Sequence, residues 1–319
     1  MKKILVTGAT GQIGSELTLA LRERYGNENV VAAGHKRAPS NELLNSGPFE
    51  IIDCGKIEMI DNVVKKHNID TIYHLAAILS AAAEANPKLA WDVNISGLCN
   101  VLDVAREHGC AVFTPSSIGA FGPNTPKDNT PQDTIQRPST MYGITKVTGE
   151  LLCDYYHKKY GVDTRGVRFP GIISYVTLPG GGTTDYAVEI YYEALKQRRY
   201  TCYLKPDTYM DMMYMPDAIK AAIDIMEANP GKLLHRNAFN VTAMSFAPEE
   251  IADEIKKYIP DFVIDYKIDP VRQSIADSWP NKMDDSAARE EWGWQPSYDL
   301  ASMTKDMLDK LSKKLGIKI

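Results

Sequence analysis

The sequence predicts an α/β fold in which a doubly wound parallel sheet forms the core and a smaller C-terminal lobe is attached to it. Two observations carry this prediction. Short apolar runs alternate with amphipathic segments through the first half of the 319-residue chain, and such alternation is typical of a parallel sheet covered by helices on both faces. A glycine-rich turn also separates the first apolar run from the first amphipathic segment, so the chain passes sharply from strand into helix.

Each predicted strand is a short apolar run, and each predicted helix carries apolar residues at helical spacing. The strands are expected at Ile4–Thr7, Val30–Ala33, Phe49–Ile52, Thr71–Leu75, Ala111–Pro115 and Thr164–Phe169. The helices between them are expected at Ile13–Tyr25, Lys56–His67, Lys88–His108 and Tyr142–Tyr160. After Phe169 the alternation loosens, and a glycine run at Gly180–Gly182 precedes predicted helices at Asp185–Arg198 and Pro248–Tyr258.

The turn after the first strand has the spacing of a dinucleotide-binding motif. Gly8, Gly11 and Gly14 follow the run KKILVT at G-x-x-G-x-x-G spacing and open the first helix. Glycines at these positions let the backbone approach a pyrophosphate, which the positive N-terminus of the helix attracts. An ordinary tight turn is the alternative. The context favours a Rossmann-type dinucleotide-binding core over residues 1–169, with residues 170–319 forming mostly a substrate-binding lobe that is interleaved with the core.

Tyr142 and Lys146 lie four residues apart in the run YGITK on a predicted helix. Positions i and i+4 share one face of a helix, so the Lys146 ammonium can lie near the Tyr142 phenol. A nearby cation favours the phenolate and so makes a tyrosine acidic enough to exchange protons near neutral pH. Beside a nicotinamide, such a pair is typical of an alcohol–ketone oxidoreductase.

Composition excludes several classes of function. The net charge of −5 and the lack of a basic tract argue against nucleic-acid binding. No apolar run reaches the roughly 20 residues that span a membrane, and residues 1–20 lead directly into the fold rather than forming a signal peptide. The five cysteines are scattered without C-x-x-C spacing, which predicts reduced thiols and a cytoplasmic protein. The six histidines lack metal-ligand spacing, so no metal site is expected.

Four stretches together resemble the extended short-chain dehydrogenase/reductase superfamily: TGATGQIG, HLAA at His74–Ala77, PSSIGAFG at Pro115–Gly122, and YGITK. Within it, GGGTTDYAVEIYYEAL at Gly180–Leu195, with HLAAILSA and SSIGAFGP, resembles the short-chain type of L-threonine 3-dehydrogenase. The resemblance implies NAD-dependent oxidation of the C3 hydroxyl of L-threonine to 2-amino-3-oxobutyrate, a step of threonine catabolism towards glycine or aminoacetone.

The resemblance also assigns catalytic roles. Ser117 lies 25 residues before Tyr142, at the place of the superfamily's catalytic serine or threonine, and is expected to hydrogen-bond the reacting hydroxyl. Tyr142 is expected to take the proton, while Lys146 favours the phenolate and holds the nicotinamide ribose. In related branches Ser116 lies close to the site as well, so the sequence alone does not separate the two serines, although spacing favours Ser117. A helix cap or turn is the alternative for the serine pair.

NAD is the cofactor that the resemblance implies. Its expected contacts, besides the three glycines and the Tyr142–Lys146 pair, follow the first, fourth and sixth strands or lie on the helix before the catalytic serine. They are Gln12, Ile13, Leu75, Ala76, Ala77, Asn94, Phe169 and Pro170, together with His35, Lys36 and Asp53 after the second and third strands.

The end of the second strand departs from the pattern of NAD-specific folds, which place Asp or Glu there to bind the adenosine ribose. Here the stretch reads VVAAGHKR, with Gly34 in place of the acid and His35, Lys36 and Arg37 after it. A missing carboxylate removes repulsion against a 2′-phosphate, which Lys36 or Arg37 can pair with, so the local chemistry permits NADP. A solvated basic loop is the alternative. Asp53, in IIDC, fits the position that reads the adenine amino group.

The substrate residues also come from the resemblance. Ser80, Thr183 and Thr184 match positions that contact substrate in the family, and Trp279 resembles part of a lid over the methyl end of threonine. For the two threonines, a helix N-cap before Asp185 is the alternative. Both roles are compatible, because a helix N-terminus suits a carboxylate.

Two rival functions remain. Nucleotide-sugar epimerases or dehydratases share the superfamily and the Tyr/Lys pair, but they typically carry Arg-Asp-Tyr where this chain has Met210, Asp211 and Met212. Without that arginine, a substrate diphosphate loses its usual partner. A cofactor-sensing regulator without catalysis would keep the glycines but lose the tyrosine or the lysine, and this chain has both.

Related enzymes usually dimerise through the helix that carries the Tyr/Lys pair and the helix before it. A homodimer is therefore expected, with the second helix near Lys88–His108. Val93, Leu98 and Leu102 form an apolar face that suits this interface and equally suits the core.

Overall fold

The computed structural model describes residues 1–177 and 182–318. Gly180 and Gly181 of the predicted glycine run lie outside these ranges, and Gly182 lies inside them. Within the described residues the chain forms fourteen strands and thirteen α-helices.

The elements are numbered in chain order. The strands are β1 (Ile4–Thr7), β2 (Val30–Gly34), β3 (Phe49–Ile51), β4 (Thr71–His74), β5 (Ala111–Phe113), β6 (Ser116–Ser117), β7 (Thr164–Arg165), β8 (Val167–Phe169), β9 (Gly171–Ile173), β10 (Arg199–Cys202), β11 (Met210–Tyr214), β12 (Phe239–Asn240), β13 (Met244–Phe246) and β14 (Val263–Tyr266). The helices are α1 (Gln12–Tyr25), α2 (Asn41–Asn45), α3 (Ile57–His67), α4 (Ser80–Ala85), α5 (Pro87–Trp91), α6 (Gly97–His108), α7 (Met141–Tyr160), α8 (Tyr186–Gln197), α9 (Met215–Glu227), α10 (Pro248–Lys256), α11 (Pro270–Ala276), α12 (Ser286–Trp292) and α13 (Leu300–Leu315).

Six strands form the central sheet in the order β3–β2–β1–β4–β5–β7, and every neighbouring pair is parallel. The chain passes outward from β1 in both directions, so the strand order reverses beside β1. The doubly wound α/β fold predicted from the sequence is therefore confirmed. Ligands of such sheets bind beyond the carboxyl ends of the strands at the point of reversal, which places the expected site after β1 and β4.

Alternate residues of β1 pack into different cores. Ile4 and Val6 pack in a cluster that includes Leu17 of α1, whereas Leu5 packs in a cluster that includes Ile60 of α3. The four residues of β1 are all buried, as expected for a parallel strand with helices on both faces. This packing holds the glycine turn that follows β1 on a rigid support.

The predicted strand over Thr164–Phe169 is wrong as a single element, because the chain divides it at Gly166. The first part, β7, pairs with β5 in the central sheet, whereas β8 lies in a separate sheet between β6 and β12. A Cβ at Gly166 would overlap the carbonyl oxygen of Thr114, so a glycine is needed where the chain crosses from one sheet to the other. This division places β6, which carries Ser117, outside the central sheet.

The predicted helix over Lys88–His108 is also interrupted. It consists of α5, a π-helical turn at Asp92–Ser96, and α6. Leu98 and Leu102 are buried in the core with Leu5, so these two residues take the core alternative rather than forming an outer face. The remaining predicted helices match the observed ones to within a residue or two at each end, which is the usual uncertainty of a helix boundary.

Residues of the second half of the chain form a third buried apolar cluster, the third core. They also contribute to the cluster that contains Ile4. Helices α8, α10 and α13 surround β9, β11 and β13, and their apolar residues form one buried cluster from Ile118 to Leu311. Helix α9 instead packs on α1, and Met213 and Phe239 are buried together with Ile4. In the described part of the chain, no helix combines the length and apolar character needed to cross a membrane.

Asp211 on β11 is a buried carboxyl in the third core. Its Oδ1 accepts a hydrogen bond from Thr242 Oγ1, and its Oδ2 accepts one from the Met283 backbone N–H at 2.7 Å. Burial nevertheless raises the pKa of Asp211 to about 7, because the two hydrogen bonds only partly compensate the loss of water around the charge. Asp211 thus links β11 to the loop that follows α11 and couples that contact to pH.

We predict that replacing Asp211 with Asn raises stability relative to the wild type near pH 8 but not below pH 4. A carboxyl whose folded-state pKa is raised stabilises the fold below its ordinary pKa, and that contribution is lost as the pH rises through about 7. The amide stays neutral, so the difference in unfolding free energy should grow across this window by up to about 4 kcal/mol. Denaturant unfolding at several pH values measures the difference.

The matched control is Asp207→Asn, because Asp207 lies on the same segment but is exposed. Its difference from the wild type should stay constant with pH. A constant difference for the Asp211 variant as well would contradict the coupling between Asp211 and pH.

Candidate active site

The glycine turn after β1 folds tightly against the loop that follows β4. Gly8 has a φ of +71°, and a Cβ on it would lie 2.6 Å from the Ala76 backbone nitrogen. The Gly11 N–H donates to the Gly8 carbonyl at 2.9 Å, and a Cβ on Gly14 would overlap that same carbonyl. A side chain at these positions would crowd the backbone. The spacing of the glycines is therefore required by close backbone contact rather than by chain flexibility.

The N-terminus of α1 is free of its own side-chain caps. Gly11 is the N-cap residue and makes no side-chain capping bond, and the first turn contains no acidic residue. The N–H groups of Gln12 and Ile13 belong to this uncapped turn, where a helix binds anions. The turn from Gly8 to Gly14, a glycine cradle, therefore ends at a helix N-terminus that can hold a pyrophosphate, and the cofactor role of its glycines stays a prediction.

The end of β2 has no space for a carboxylate. A Cβ on Gly34 would lie 2.9 Å from Thr10 Cγ2 and 3.0 Å from Phe49 Cζ. His35 follows, with Nε2 3.9 Å from Asp53 Oδ2, while Lys36 is exposed. The structure therefore brings the predicted residues His35 and Asp53 together at the edge beyond β2 and β3.

Asn94 fixes the predicted cofactor loop after β4. Its Oδ1 accepts from the Ile78 N–H at 2.7 Å, and its Nδ2 donates to the Ile78 carbonyl at 3.1 Å and to Thr145 Oγ1 at 3.0 Å. The π-helical turn presents Asn94 towards both the loop and α7. Asn94 thus joins the segment that contains Leu75, Ala76 and Ala77 to the helix of the Tyr/Lys pair.

His74 is buried and neutral beneath this loop. Its Nδ1 lies 2.8 Å from Thr7 Oγ1, and burial, together with the charge of Lys146, lowers its pKa to about 4. A cavity of about 40 Å³ separates His74 from α7 and is lined by polar groups that include Lys146 and Glu150. His74 therefore adds no positive charge beside Lys146 near neutral pH.

Tyr142 and Lys146 lie on the first turns of α7, as predicted. The helix begins after Thr140, whose side chain accepts from the Gly143 N–H at 3.1 Å. Lys146 Nζ lies 5.4 Å from the centroid of the Tyr142 ring and donates to the Pro115 carbonyl at 2.8 Å. The side chains at i and i+4 thus share one face, and the lysine is held by the segment that leads into Ser117.

Ser117 and Tyr142 meet on either side of Gly119. A Cβ on Gly119 would lie 3.3 Å from the Tyr142 ring and 3.6 Å from Ser117 Oγ. The Gly119 N–H donates to Ser117 Oγ at 3.1 Å, so this oxygen accepts from the backbone and keeps its proton for another acceptor. Ser117 Oγ and one edge of the Tyr142 ring therefore flank Gly119.

The neighbouring Ser116 has a different environment. It is 6% exposed, and its Oγ donates to Glu150 Oε1. The two serines are adjacent on an extended strand, so their side chains point to opposite faces. Ser116 points into the protein and Ser117 points towards Tyr142, which separates two residues that sequence reasoning left together.

Sequence reasoning missed the buried pair Glu150 and Arg168. Arg168 Nη2 donates to Glu150 Oε2 at 2.9 Å beside Ser116. One local signal was available, because Glu150 follows Lys146 by one helical repeat on the same face of the predicted helix. The partner of Glu150 was not accessible, since it depends on how β8 pairs with β6.

The predicted substrate residues come from three separate elements. Ser80 begins α4 and is partly exposed. Thr183 is 4% exposed, and Thr184 is partly buried and packs against Gly171. The residue that caps α8 is Asp185 rather than either threonine.

Trp279 is 8% exposed and packs in the third core. Its backbone N–H donates to the Ala276 carbonyl at the end of α11. Phe169 pairs with Ser117 across β6 and β8 and is buried, as is Pro170 after it. Phe169 thus lies beside Ser117 in the small sheet, whereas Trp279 packs in the third core, so the predicted set spans both halves of the chain.

Known proteins match this chain over almost its whole length. The sequence model of the NAD-dependent epimerase/dehydratase family matches residues 4–241. A solved L-threonine dehydrogenase from Clostridium difficile is 64% identical, covers 98% of this chain and 98% of its own, and superposes with a TM-score of 0.97. A monomeric L-threonine 3-dehydrogenase from a metagenome is 46% identical, with 98% and 99% coverage and a TM-score of 0.93. An uncharacterized epimerase/dehydratase of Staphylococcus saprophyticus is 57% identical over 314 residues, 98% of either chain.

We predict that Gly8→Ala weakens binding of reduced nicotinamide dinucleotide at least tenfold and destabilises the fold. Gly109→Ala is the matched control, because Gly109 also has positive φ, +68°, but has nothing within 4 Å of an added Cβ. Both variants share a backbone penalty of about 1–2 kcal/mol, whereas only the Gly8 variant meets the loop after β4. Fluorescence titration and thermal unfolding measure the two effects. Equal losses of affinity in the two variants would contradict the proposed role of Gly8 in binding the dinucleotide.

Proposed function

The chain belongs to the NAD-dependent epimerase/dehydratase family, and we propose that within this family it is an NAD-dependent L-threonine 3-dehydrogenase. It would oxidise the C3 hydroxyl of L-threonine to 2-amino-3-oxobutyrate. The observation that carries the proposal is the convergence of Ser117, Tyr142 and Lys146 beyond the glycine turn, in a chain similar to L-threonine dehydrogenases over 98% of its length.

Tyr142 acts as the general base in this proposal. As a phenolate it takes the proton of the C3 hydroxyl, and this step contributes about 10²–10⁴-fold to the rate. The ammonium of Lys146 lies 5.4 Å from the ring centroid, on the same face of α7. Ser117 Oγ already accepts from Gly119 N–H, so its own proton is available to the reacting oxygen.

The cofactor is held by the glycine cradle and the N-terminus of α1 in this proposal. Gly8, Gly11 and Gly14 let the backbone pack closely at the turn, and the uncapped N–H groups of α1 bind the charge of the pyrophosphate. When bound, the nicotinamide accepts the hydride from C3 of the substrate. Lys146 holds the nicotinamide ribose, and the backbone after β4 lines its binding site.

We assign NAD rather than NADP as the cofactor. His35 Nε2 lies 3.9 Å from Asp53 Oδ2, so a carboxylate stands at this edge although none follows β2 directly. A 2′-phosphate placed near Asp53 would meet like charge, whereas the adenine amino group can donate to it. Lys36 is exposed and fits a solvated surface residue.

The substrate zwitterion needs polar partners, because a charge that leaves water unpaired is costly. Ser80, Thr183 and Thr184 are the proposed contacts, and the amino end of α8 lies directly after the threonines. A helix N-terminus favours a carboxylate. Trp279 is proposed to cover the methyl end of the substrate.

A nucleotide-sugar substrate fits this chain less well. The residues of β11, where related sugar-nucleotide enzymes carry an arginine, are all buried, and the charged residue among them is Asp211. A substrate diphosphate would meet no cation from this strand. A small amino acid needs no such clamp, so the buried β11 favours the threonine assignment.

We also propose a homodimer formed through α7. Its outer face exposes Ile144 (42%), Leu151 (62%) and Tyr155 (50%), which lie on one side of the helix at i, i+7 and i+11. Trp91 of α5 is exposed as well. An apolar face of this kind is typical of a surface that a partner covers. The five cysteines are all free, in keeping with a cytoplasmic location.

We predict that purified protein reduces NAD when L-threonine is added and that Tyr142→Phe lowers this turnover at least 10³-fold. The variant lacks the oxygen that takes the proton but keeps the ring, so its affinity for reduced cofactor should change less than threefold. Absorbance of the reduced nicotinamide measures turnover, with NAD and NADP in parallel. Tyr160→Phe is the matched control, because it removes an exposed hydroxyl from the other end of α7.

Each outcome of this assay separates the alternatives. Turnover with NADP alone would keep the reaction and overturn the cofactor assignment. If L-threonine reduces neither cofactor and a nucleotide sugar is turned over instead, a nucleotide sugar would replace L-threonine as the substrate. Cofactor binding without any reduction would indicate a sensor.

We predict that Leu151→Glu converts the dimer into a monomer. The substitution puts a charge in the centre of the exposed face of α7 without touching the core, so the thermal stability of the monomer should be retained. Light scattering coupled to gel filtration measures the mass. Leu234→Glu is the control, because Leu234 is 87% exposed outside α7 and should leave the mass unchanged. A monomeric wild type would refute the proposed interface.

A further inference from the structure

A buried ion pair, Glu150 with Arg168, lies directly behind the proposed catalytic set. The two residues are 6% and 5% exposed. Arg168 Nε donates to Glu150 Oε1 at 3.1 Å, and Arg168 Nη2 donates to Glu150 Oε2 at 2.9 Å. The pair is bidentate, which fixes both side chains in one geometry.

Each side-chain nitrogen and oxygen atom of the pair has at least one partner. Ser116 Oγ donates to Glu150 Oε1, and Gln136 Nε2 donates to Oε2 at 2.9 Å. Arg168 Nη1 donates to the Gln132 carbonyl at 2.8 Å and to Asn240 Oδ1 at 3.0 Å. Apolar residues often replace a buried ion pair without loss of stability. Stability alone therefore does not account for so complete a network, and its location indicates a role in the site.

The network fixes the strand that carries Ser117. In the register of β6 and β8, Ser116 pairs with Arg168 and Ser117 pairs with Phe169. Lys146 Nζ holds the Pro115 carbonyl at 2.8 Å, and Glu150 accepts from Ser116 one residue later. Two successive residues before Ser117 are thus bound to two side chains one helical repeat apart on α7. The distance between Ser117 and Tyr142 is set by these bonds.

The network also carries charge close to Lys146. Glu150 and Lys146 are at i+4 spacing on one helix, with about 6 Å between their Cβ atoms, and both line the same cavity. The other titratable groups that face them are His74 from β4 and Cys153 and Asp154 from α7. Burial keeps His74 neutral by lowering its pKa to about 4, and it raises the pKa of the Cys153 thiol well above its usual range.

Asp154 lies on the far side of this group. Burial raises the pKa of its carboxyl, and Asn237 Nδ2 donates to it at 3.2 Å. Arg168 is therefore the cation that balances Glu150. Removing either member alone would leave an unbalanced buried charge close to the cavity that Lys146 and Glu150 line.

We propose that Glu150 and Arg168 are positioning residues of the dehydrogenase reaction: they hold Ser117 opposite Tyr142 through Ser116, and they cancel each other's charge so that Lys146 alone sets the electrostatics at the phenol. This inference rests on the proposed function for its kinetic readout only. Its electrostatic part concerns the ionisation of one tyrosine, which is measurable without turnover.

The test titrates the Tyr142 phenol by ultraviolet absorbance, as the difference between each protein and the same protein with Tyr142→Phe. In Glu150→Gln the uncompensated guanidinium favours the phenolate, so the midpoint of the titration should move to lower pH by about one unit. In the double variant Glu150→Gln with Arg168→Gln, the charges balance again and the midpoint should return to the wild-type pH. Asp265→Asn, which breaks the exposed pair with Arg199, is the control and should leave it unchanged.

Ser116→Ala tests the positioning part and keeps both charges. Its midpoint should stay at the wild-type pH, whereas kcat for threonine oxidation should fall about tenfold with little change in KM. This variant also keeps the proposal testable if Glu150→Gln fails to fold. Unchanged kcat in Ser116→Ala would overturn the positioning role.

The remaining outcomes are equally decisive. Equal midpoints in the wild type, Glu150→Gln and the double variant would overturn the charge-balancing role and leave only the positioning role, which Ser116→Ala tests. If the variants show these midpoint shifts but the wild type oxidises no threonine, the proposed function is refuted while the electrostatic inference is supported.

Discussion

The close approach of α7 to β6 is the constraint on which the site depends. Gly143 makes it possible, because a Cβ there would overlap the Gly119 carbonyl and lie 2.5 Å from Pro138. Lys146 then reaches the Pro115 carbonyl, and Glu150 reaches Ser116. If α7 lay further from β6 by the width of one side chain, each of these bonds would be broken. The positions of phenol, ammonium and serine hydroxyl are therefore consequences of one helix–strand contact.

Polar groups maintain the contact between α7 and β6. Apolar side chains at this place would not need buried hydrogen bonds to be satisfied. Glu150, Arg168 and Asn240 are all buried, and a buried charge is tolerated only when its hydrogen bonds are complete. The apolar cores on either side of the central sheet hold β1 and the glycine turn, and they give no direction to a hydroxyl. Directional bonds supply that direction, since a bidentate pair fixes orientation as well as distance. The fold thus uses apolar burial for support of the cofactor cradle and polar bonds for alignment of the reacting groups.

Local patterns in the sequence were sufficient for the sheet core, the glycine turn and the Tyr142–Lys146 pair, because each depends on residues close together in the chain. The division at Gly166 was not predictable, since it follows from contact with Thr114 across two sheets. The separation of Ser116 from Ser117 likewise depends on β6 leaving the central sheet to pair with β8. Leu98 was ambiguous because an apolar helix face suits a core and an interface equally, and the structure buries it. The sequence therefore leaves undetermined how distant strands pair with one another. The candidate site lies where two such pairings come together.

The packing of β11 also bears on the choice of substrate. A phosphate clamp needs a cation whose charge faces the ligand, whereas all five residues of β11 are buried, Met213 with Ile4 and Asp211 against Thr242 and the Met283 backbone. Inserting an arginine at Met210 would require both a buried guanidinium and a rearranged core, because Met210 is 1% exposed. The absence of a cation from β11 is thus tied to packing rather than to a single exchangeable residue. A diphosphate clamp on β11 would therefore require the third core to be repacked, whereas the small amino acid that we propose as substrate needs no such clamp.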